Sequence, residues 1–351
     1  MFEQGVIRPP NEAESLLVRV TRNCPWNRCH ICPAYKGKKF SRRSVEEVKN
    51  DIDMMAQTYA NHFTSAFLQD ADSLLLPADE LVEIIGYIKK KFSKIVRVTT
   101  YARAISMKRK SLEDYNRLKE AGLTRIHSGM ESGSINVLNL IKKGSKPEDI
   151  MQGGIKVKES GISLTEYIMP GVGGKSLSTE HALETAKILN QIRPDFIRVR
   201  TFAAHPLSPF QRMIDEGTFE PMSDEEVVEE ILLLLENLDE MPSQFRCADF
   251  SLNLLMQVDG RLDTNKDDMI KEIHKYLSMT REQKQVYSLI RRTYPGIKQV
   301  DGVQDEKMME SLRKDIEALE KEDGGFDNYI RMLMARQLPQ PQTDCWDQGK
   351  S

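Results

Sequence analysis

The sequence has no surplus of basic residues: 50 Lys and Arg stand against 53 Asp and Glu in 351 residues, a formal charge of −3. A chain so balanced has no global attraction to a nucleic-acid backbone or an anionic membrane. Long apolar runs are also missing. The longest aliphatic stretch, Ile231–Leu235, is far too short to cross a bilayer. The first twenty residues hold no apolar core of the secretory kind, so a cytoplasmic location is expected. Cysteines are few and odd in number, five in all, which argues against a disulfide framework. Solenoid repeats and low-complexity tracts are absent.

What is present is alternation. From Ser15 to about Thr201, short apolar runs alternate with helix-like stretches, the pattern of βα units feeding a parallel sheet. Strands are expected at 15–21, 64–69, 95–100, 124–129, 162–169 and 196–201. Ser44 with Glu47 forms a capping-box signature, Pro77 opens a helix, and Gly122 closes one at its C-terminus. Six such units predict an α/β fold, a partial (β/α)6 barrel of the TIM type, with an open doubly wound sheet as the competing arrangement. Segment 245–255 (FRCADFSLNLL) reads as one further strand running into a helix, and 266–292 as helical. The expected organisation is an N-terminal extension (1–14), the barrel (15–205), a mainly helical capping region (206–300) and a charged helical tail (301–351) with a mobile end. Right-handed crossovers would bring every loop that follows a strand to one face.

The first such loop carries Cys24-Pro-Trp-Asn-Arg-Cys29-His-Ile-Cys32, a C-x4-C-x2-C spacing. Three soft thiolates this close suit iron–sulfur or zinc. Buried unreactive thiols are the bland alternative, but Pro25, Asn27, Arg28 and His30 are too polar for it. Structural zinc needs a fourth ligand, and His30 sits inside a CxxC pair where its reach is poor. A plant-type [2Fe–2S] ferredoxin needs a fourth cysteine, and the next, Cys247, lies far downstream. Three ligands leave one iron of a four-iron cluster open to bind and activate a substrate.

VTRNCPWNRCHICPAY resembles the cluster loop of the radical S-adenosylmethionine (radical SAM) superfamily, in its variant with one extra residue between the first two cysteines. LKEAGLTRIHSGMESGSINVLNLIKKG resembles that superfamily's fourth βα unit, and the similarity runs over roughly residues 15–260. The nearest-looking relatives are Fe–S oxidoreductases similar to oxygen-independent coproporphyrinogen oxidase and to Elongator-type catalytic subunits. The resemblance implies one [4Fe–4S] cluster on Cys24, Cys29 and Cys32, with S-adenosylmethionine (SAM) chelating the fourth iron. One electron would cleave SAM to a 5′-deoxyadenosyl radical that takes hydrogen from a small or medium organic substrate. An external donor such as flavodoxin or ferredoxin would supply the electron.

The resemblance also implies cofactor contacts. Ile31 stands where an aromatic residue usually lies along the adenine. Gln69 or Asp70 would hold the methionine ammonium, and Glu131 with Ser132 the ribose or amino group. Gly171 and Gly173, in Pro170–Gly174, would let backbone approach adenine or carboxylate. Arg198 and Arg200 point to one side of a strand and would meet anions there, or else pair with neighbouring acids. Tyr101, Arg103, Arg200 and His205 are the candidate catalytic residues. No acetyltransferase-like extension, cobalamin domain or small RNA-binding barrel is recognisable, and a nucleic-acid partner is not expected. A non-catalytic iron–sulfur electron carrier or a cofactor-assembly scaffold is the alternative.

Overall fold

A computed structural model of the chain describes residues 2–59, 62–294, 306–322 and 325–338. Its main sheet has eight strands: β1 (Leu16–Arg19), β2 (Ser65–Gln69), β3 (Arg97–Ala102), β4 (Leu123–Glu131), β5 (Ser163–Ile168), β6 (Phe196–Val199), β7 (Gln244–Arg246) and β8 (Asp259–Arg261). They lie side by side in sequence order. β1 to β7 are parallel, and β8 returns antiparallel to β7. An order without a switch point belongs to a partial barrel wound in one direction, not to a doubly wound sheet. β1 and β8 form its two edges.

Helices α1 (Val45–Tyr59), α2 (Ala78–Lys91), α3 (Ala104–Arg109), α4 (Leu112–Ala121), α5 (Ile135–Leu140), α6 (Pro147–Glu159), α7 (Gly174–Ile192), α8 (Pro209–Asp215) and α9 (Asp224–Asn237) join the strands. Their ends follow local chemistry. Ser44 and Glu47 exchange the two capping-box bonds that start α1, and Ser111 with Asp114 does the same for α4. Removing such a cap costs about 1 kcal/mol. Along α1, Val48, Ile52 and Met55 bury one stripe against the sheet.

Three segments depart from expectation. α3 is six residues long, too short to show helical periodicity. No helix follows β7, because the Asn253 side chain donates to the Val199 and Cys247 carbonyls and accepts from the Thr201 amide, fixing an irregular loop. Segment 266–292 divides into α10 (Lys266–Leu277) and α11 (Arg281–Thr293), since Thr280 and Gln283 form a capping box that starts a new helix. Beyond these, α12 (Glu306–Leu319) and α13 (Gly325–Ala335) pack on α11 through a second apolar cluster that includes Ile290, Ile316 and Ile330. The tail end expected to be mobile, with Cys345, lies outside the described residues.

Inside the barrel, neighbouring rings of Phe67, Tyr101, His127 and Tyr167 stack edge to face or tilted, 5.2 to 6.3 Å apart. Glu12 closes the far end. Burial alone would raise its carboxyl, but bonds from His127, Arg97 and Ser15 hold it down at about 2.

On the helix-facing side, Glu166 of β5 is buried opposite its register partner Ser128. Burial pushes its carboxyl up to about 8. An acid raised on folding binds more protons in the native state, so stability falls as pH climbs from the unfolded carboxylate range to about 8. The slope is at most about 1.4 kcal/mol per pH unit. Glu166→Gln should remove that slope and stabilise the protein at pH 8, read as urea unfolding free energies at several pH values. Identical pH dependence in both proteins would contradict this account.

Candidate active site

The cysteine loop leaves the sheet after β1 and begins as a two-residue ribbon, Thr21–Arg22 against Ser41–Arg42. Asp70, just past β2, holds its base. Its carboxylate accepts from Arg19 Nε at 2.8 Å, the Asn23 amide at 2.9 Å and the Tyr35 hydroxyl at 3.2 Å. Asn23 and Asn27 take positive φ, which asparagine tolerates. Asn27 also staples the loop internally, donating to the Tyr35 and Lys38 carbonyls at 2.6 and 3.2 Å.

The far side of the loop docks on the turn after α5. Trp26 Nε1 donates to the Lys142 carbonyl at 2.7 Å and the His30 amide to Ile141 at 2.9 Å. Arg28 and Arg103 place their guanidinium groups 5.2 and 5.4 Å from the Trp26 ring. Gly144, with φ of +72°, lies so close that a Cβ there would stand 2.4 Å from the indole.

Cys24, Cys29 and Cys32 share the wall of one cavity of about 450 Å³ at the C-terminal end of the strands. Ile31, Tyr101, Arg103, Glu131 and Arg200 line it too, so the structure brings these expected residues together. No group of three His, Cys, Asp or Glu side chains among the described residues closes on a single ion. Three thiols on one loop, facing a cavity of ligand size, are a donor set that fits a larger, incompletely ligated iron–sulfur cluster. Cys247 is buried in the apolar core and does not line the cavity.

Electrostatics tune the wall. Burial pushes the Cys29 thiol up to about 11, with Lys143 opposing, and raises Cys32 as well. Lys143 donates to Glu131 Oε1 at 2.8 Å. Burial would lower its ammonium, but Glu131 and Cys29 outweigh that and keep it above its ordinary value. Arg200 makes no side-chain hydrogen bond or ion pair among the described residues, and the buried Tyr167 hydroxyl beside it in the wall has no partner either.

Other expected residues sit elsewhere. Gln69 and Asp70 do not line the cavity. Gln69 accepts from the Gly5 amide and donates to the Ile7 carbonyl, while Asp70 is engaged as above. Ser132 is buried, its hydroxyl 2.7 Å from His181 Nδ1, and His181 lies 3.7 Å from Glu230, which accepts from the Gly171 amide at 2.8 Å. That network braces the loops after β4 and β5 from behind. Gly173 is the N-cap of α7. Arg198 pairs with Asp249, and His205 accepts from the Leu207 amide at 3.1 Å within a turn. Residues not anticipated include Lys143, Lys36, Tyr167, Ser251 and Gln337. A tryptophan in a polar cysteine loop was the available sign that the loop docks on something, and hence that Lys142–Gly144 matter.

Gly144→Ala should push the Trp26 ring off its seat and loosen the loop. Iron and acid-labile sulfide per chain after anaerobic reconstitution should drop several-fold, with circular dichroism unchanged. Full loading of the variant would mean that this docking does not position the cysteines.

Residues 18–186 match the Radical SAM superfamily. Over 122 residues the chain is 26% identical to a protein of Methanocaldococcus infernus named tRNA uridine(34) acetyltransferase, covering 34% of this chain and 23% of that one. The like-named protein of Methanocaldococcus jannaschii is 22% identical over 118 residues. The chain thus spans about a quarter of these curated relatives. The solved structure of the cobalamin-dependent SAM radical enzyme OxsB superposes with a TM-score of 0.52 at 15% identity, over 95% of this chain and 59% of that one. Coproporphyrinogen III oxidase of Escherichia coli gives 0.49 at 16% identity, over 63% and 52%. The superfamily uses a [4Fe–4S] cluster and SAM. The three-cysteine loop at the mouth of a partial β/α barrel thus falls within the segment of the chain that matches the Radical SAM superfamily.

Proposed function

We propose that Cys24, Cys29 and Cys32 hold one [4Fe–4S] cluster, that SAM occupies the adjoining cavity, and that the chain is an enzyme acting on a small or medium organic substrate. The observation that carries this reading is the convergence of all three cysteines with Glu131, Lys143 and Arg200 on one cavity. When bound, the reduced cluster supplies the electron that cleaves the S–C5′ bond of SAM, giving methionine and a hydrogen-abstracting 5′-deoxyadenosyl radical. The chain's own residues do the rest. Lys143 places a cation beside the thiolates and anchors Glu131, whose carboxylate is aimed at the cavity to accept from hydroxyl or amino groups. Ile31, Tyr101 and Tyr167 exclude water from the reacting centre. Arg200 stands five strands along the sheet from the cysteine loop, and there its unpaired guanidinium holds an anionic group.

The test is anaerobic reconstitution, chemical reduction and addition of SAM, followed by assay for 5′-deoxyadenosine. The native chain should form it, and a Cys24→Ala/Cys29→Ala/Cys32→Ala variant should not. A fully loaded cluster that neither binds nor cleaves SAM would overturn the enzyme reading in favour of an electron carrier or assembly scaffold.

A nucleic-acid substrate is the second reading. The partial likeness to proteins named tRNA uridine(34) acetyltransferase supports it. So does the placement of charge: although the chain is balanced overall, exposed Arg8 and Arg28, and Lys142 beside Trp26, form no ion pair among the described residues. On this reading, fluorescence anisotropy with unfractionated tRNA should show salt-sensitive binding, weakened about tenfold or more by Arg28→Glu/Lys142→Glu. Absence of binding at low salt would remove it.

A further inference from the structure

A second cavity, of about 440 Å³, opens on the same end of the sheet but contains none of the cysteines. Its walls come from the loop after β6, the start of α9, and α13. Phe202, Met222, Val227 and Met334 make much of it apolar. Residue Gln337, just beyond α13, faces the cysteine cavity and is hydrogen-bonded to Ser251, so the α13 segment separates the two spaces.

Two arginines, Arg331 and Arg336, also line this second cavity, and neither forms an ion pair among the described residues. Arg331 is half-buried, and burial draws its guanidinium below its ordinary value. The one acid in the wall, Asp224, is committed to Arg292, with which it forms a close pair. Asp327, one helical turn before Arg331, lines a different cleft. The cavity therefore combines an apolar body with two forked donors at one side: Arg331, whose charge is felt by Asp327 without an ion pair among the described residues, and Arg336, which donates to the Met332 sulfur at 3.7 Å. Arg331, partly desolvated, and the exposed Arg336 next to it both present forked donors that suit a carboxylate, phosphate or sulfonate.

We propose that this cavity is a separate binding site for an amphipathic organic anion, with the acidic head on Arg331 and Arg336 and the apolar part against Phe202, Met222 and Met334. The volume falls in the range of small-molecule sites. The proposal does not depend on cluster chemistry at the cysteines, and its test keeps the two apart.

The probe is 1-anilinonaphthalene-8-sulfonate, followed by fluorescence with the full-length chain. The expected result is saturable binding to one site that persists in the Cys24→Ala/Cys29→Ala/Cys32→Ala variant and weakens about tenfold or more in Arg331→Gln/Arg336→Gln. With the unaltered chain, decanoate should displace the probe about tenfold or more better than decanol, which shares its tail but not its charge. Equal displacement by acid and alcohol would overturn the proposal. So would unchanged affinity in the double variant, or displacement of the probe by SAM, which would put it in the cysteine cavity.

Discussion

The buried carboxylate of Asp70 is the point on which the cysteine loop depends. Its side chain is wholly inaccessible, yet it receives hydrogen bonds from Arg19 at the end of β1, Asn23 one residue before the first cysteine, and Tyr35 three residues after the last. One anion thus pins the entry and the exit of the loop to the end of β2. A buried charge survives only when it is paired and hydrogen-bonded, and breaking such a pair typically costs about 3 to 5 kcal/mol. Here that cost is what makes the loop's position unambiguous.

Everything on the other side of the loop works by shape. Trp26 lies over Gly144, where a side chain has no room, and the turn after α5 supplies carbonyls that receive the indole and the His30 amide. The same turn carries Lys143 into the wall beside Cys29 and against Glu131. Packing of the cysteine loop and electrostatic preparation of the cavity are therefore one event. Both are possible because the parallel, sequentially ordered strands bring the loops after β1 and β4 to the same face.

The sequence disclosed the elements whose signals are local. Ser44 with Glu47, Pro77 at the start of α2 and Gly122 at the end of α4 mark helix ends without reference to the fold. The same holds for the cysteines and for Glu131 and Arg200, which lie at or just past the ends of strands and so had to meet on one face. What could not be read were partners distant in the chain. Gln69 and Asp70 look like ligand-binding residues in a loop after a strand, but Gly5, Ile7, Arg19 and Tyr35 occupy them. Ser132 and Gly171 are similarly taken up by His181 and Glu230, and Arg198 by Asp249. Gln337 reaches the cavity from the last described turn of the chain, where composition suggested only a charged tail.

The most direct measurement of the central claim is electron paramagnetic resonance of the reconstituted, reduced protein before and after SAM is added. A cluster with three protein ligands and one open iron should give a [4Fe–4S]⁺ signal whose g-values shift when SAM binds. A signal that SAM leaves unchanged would mean that no iron is open to it, and the account would fail.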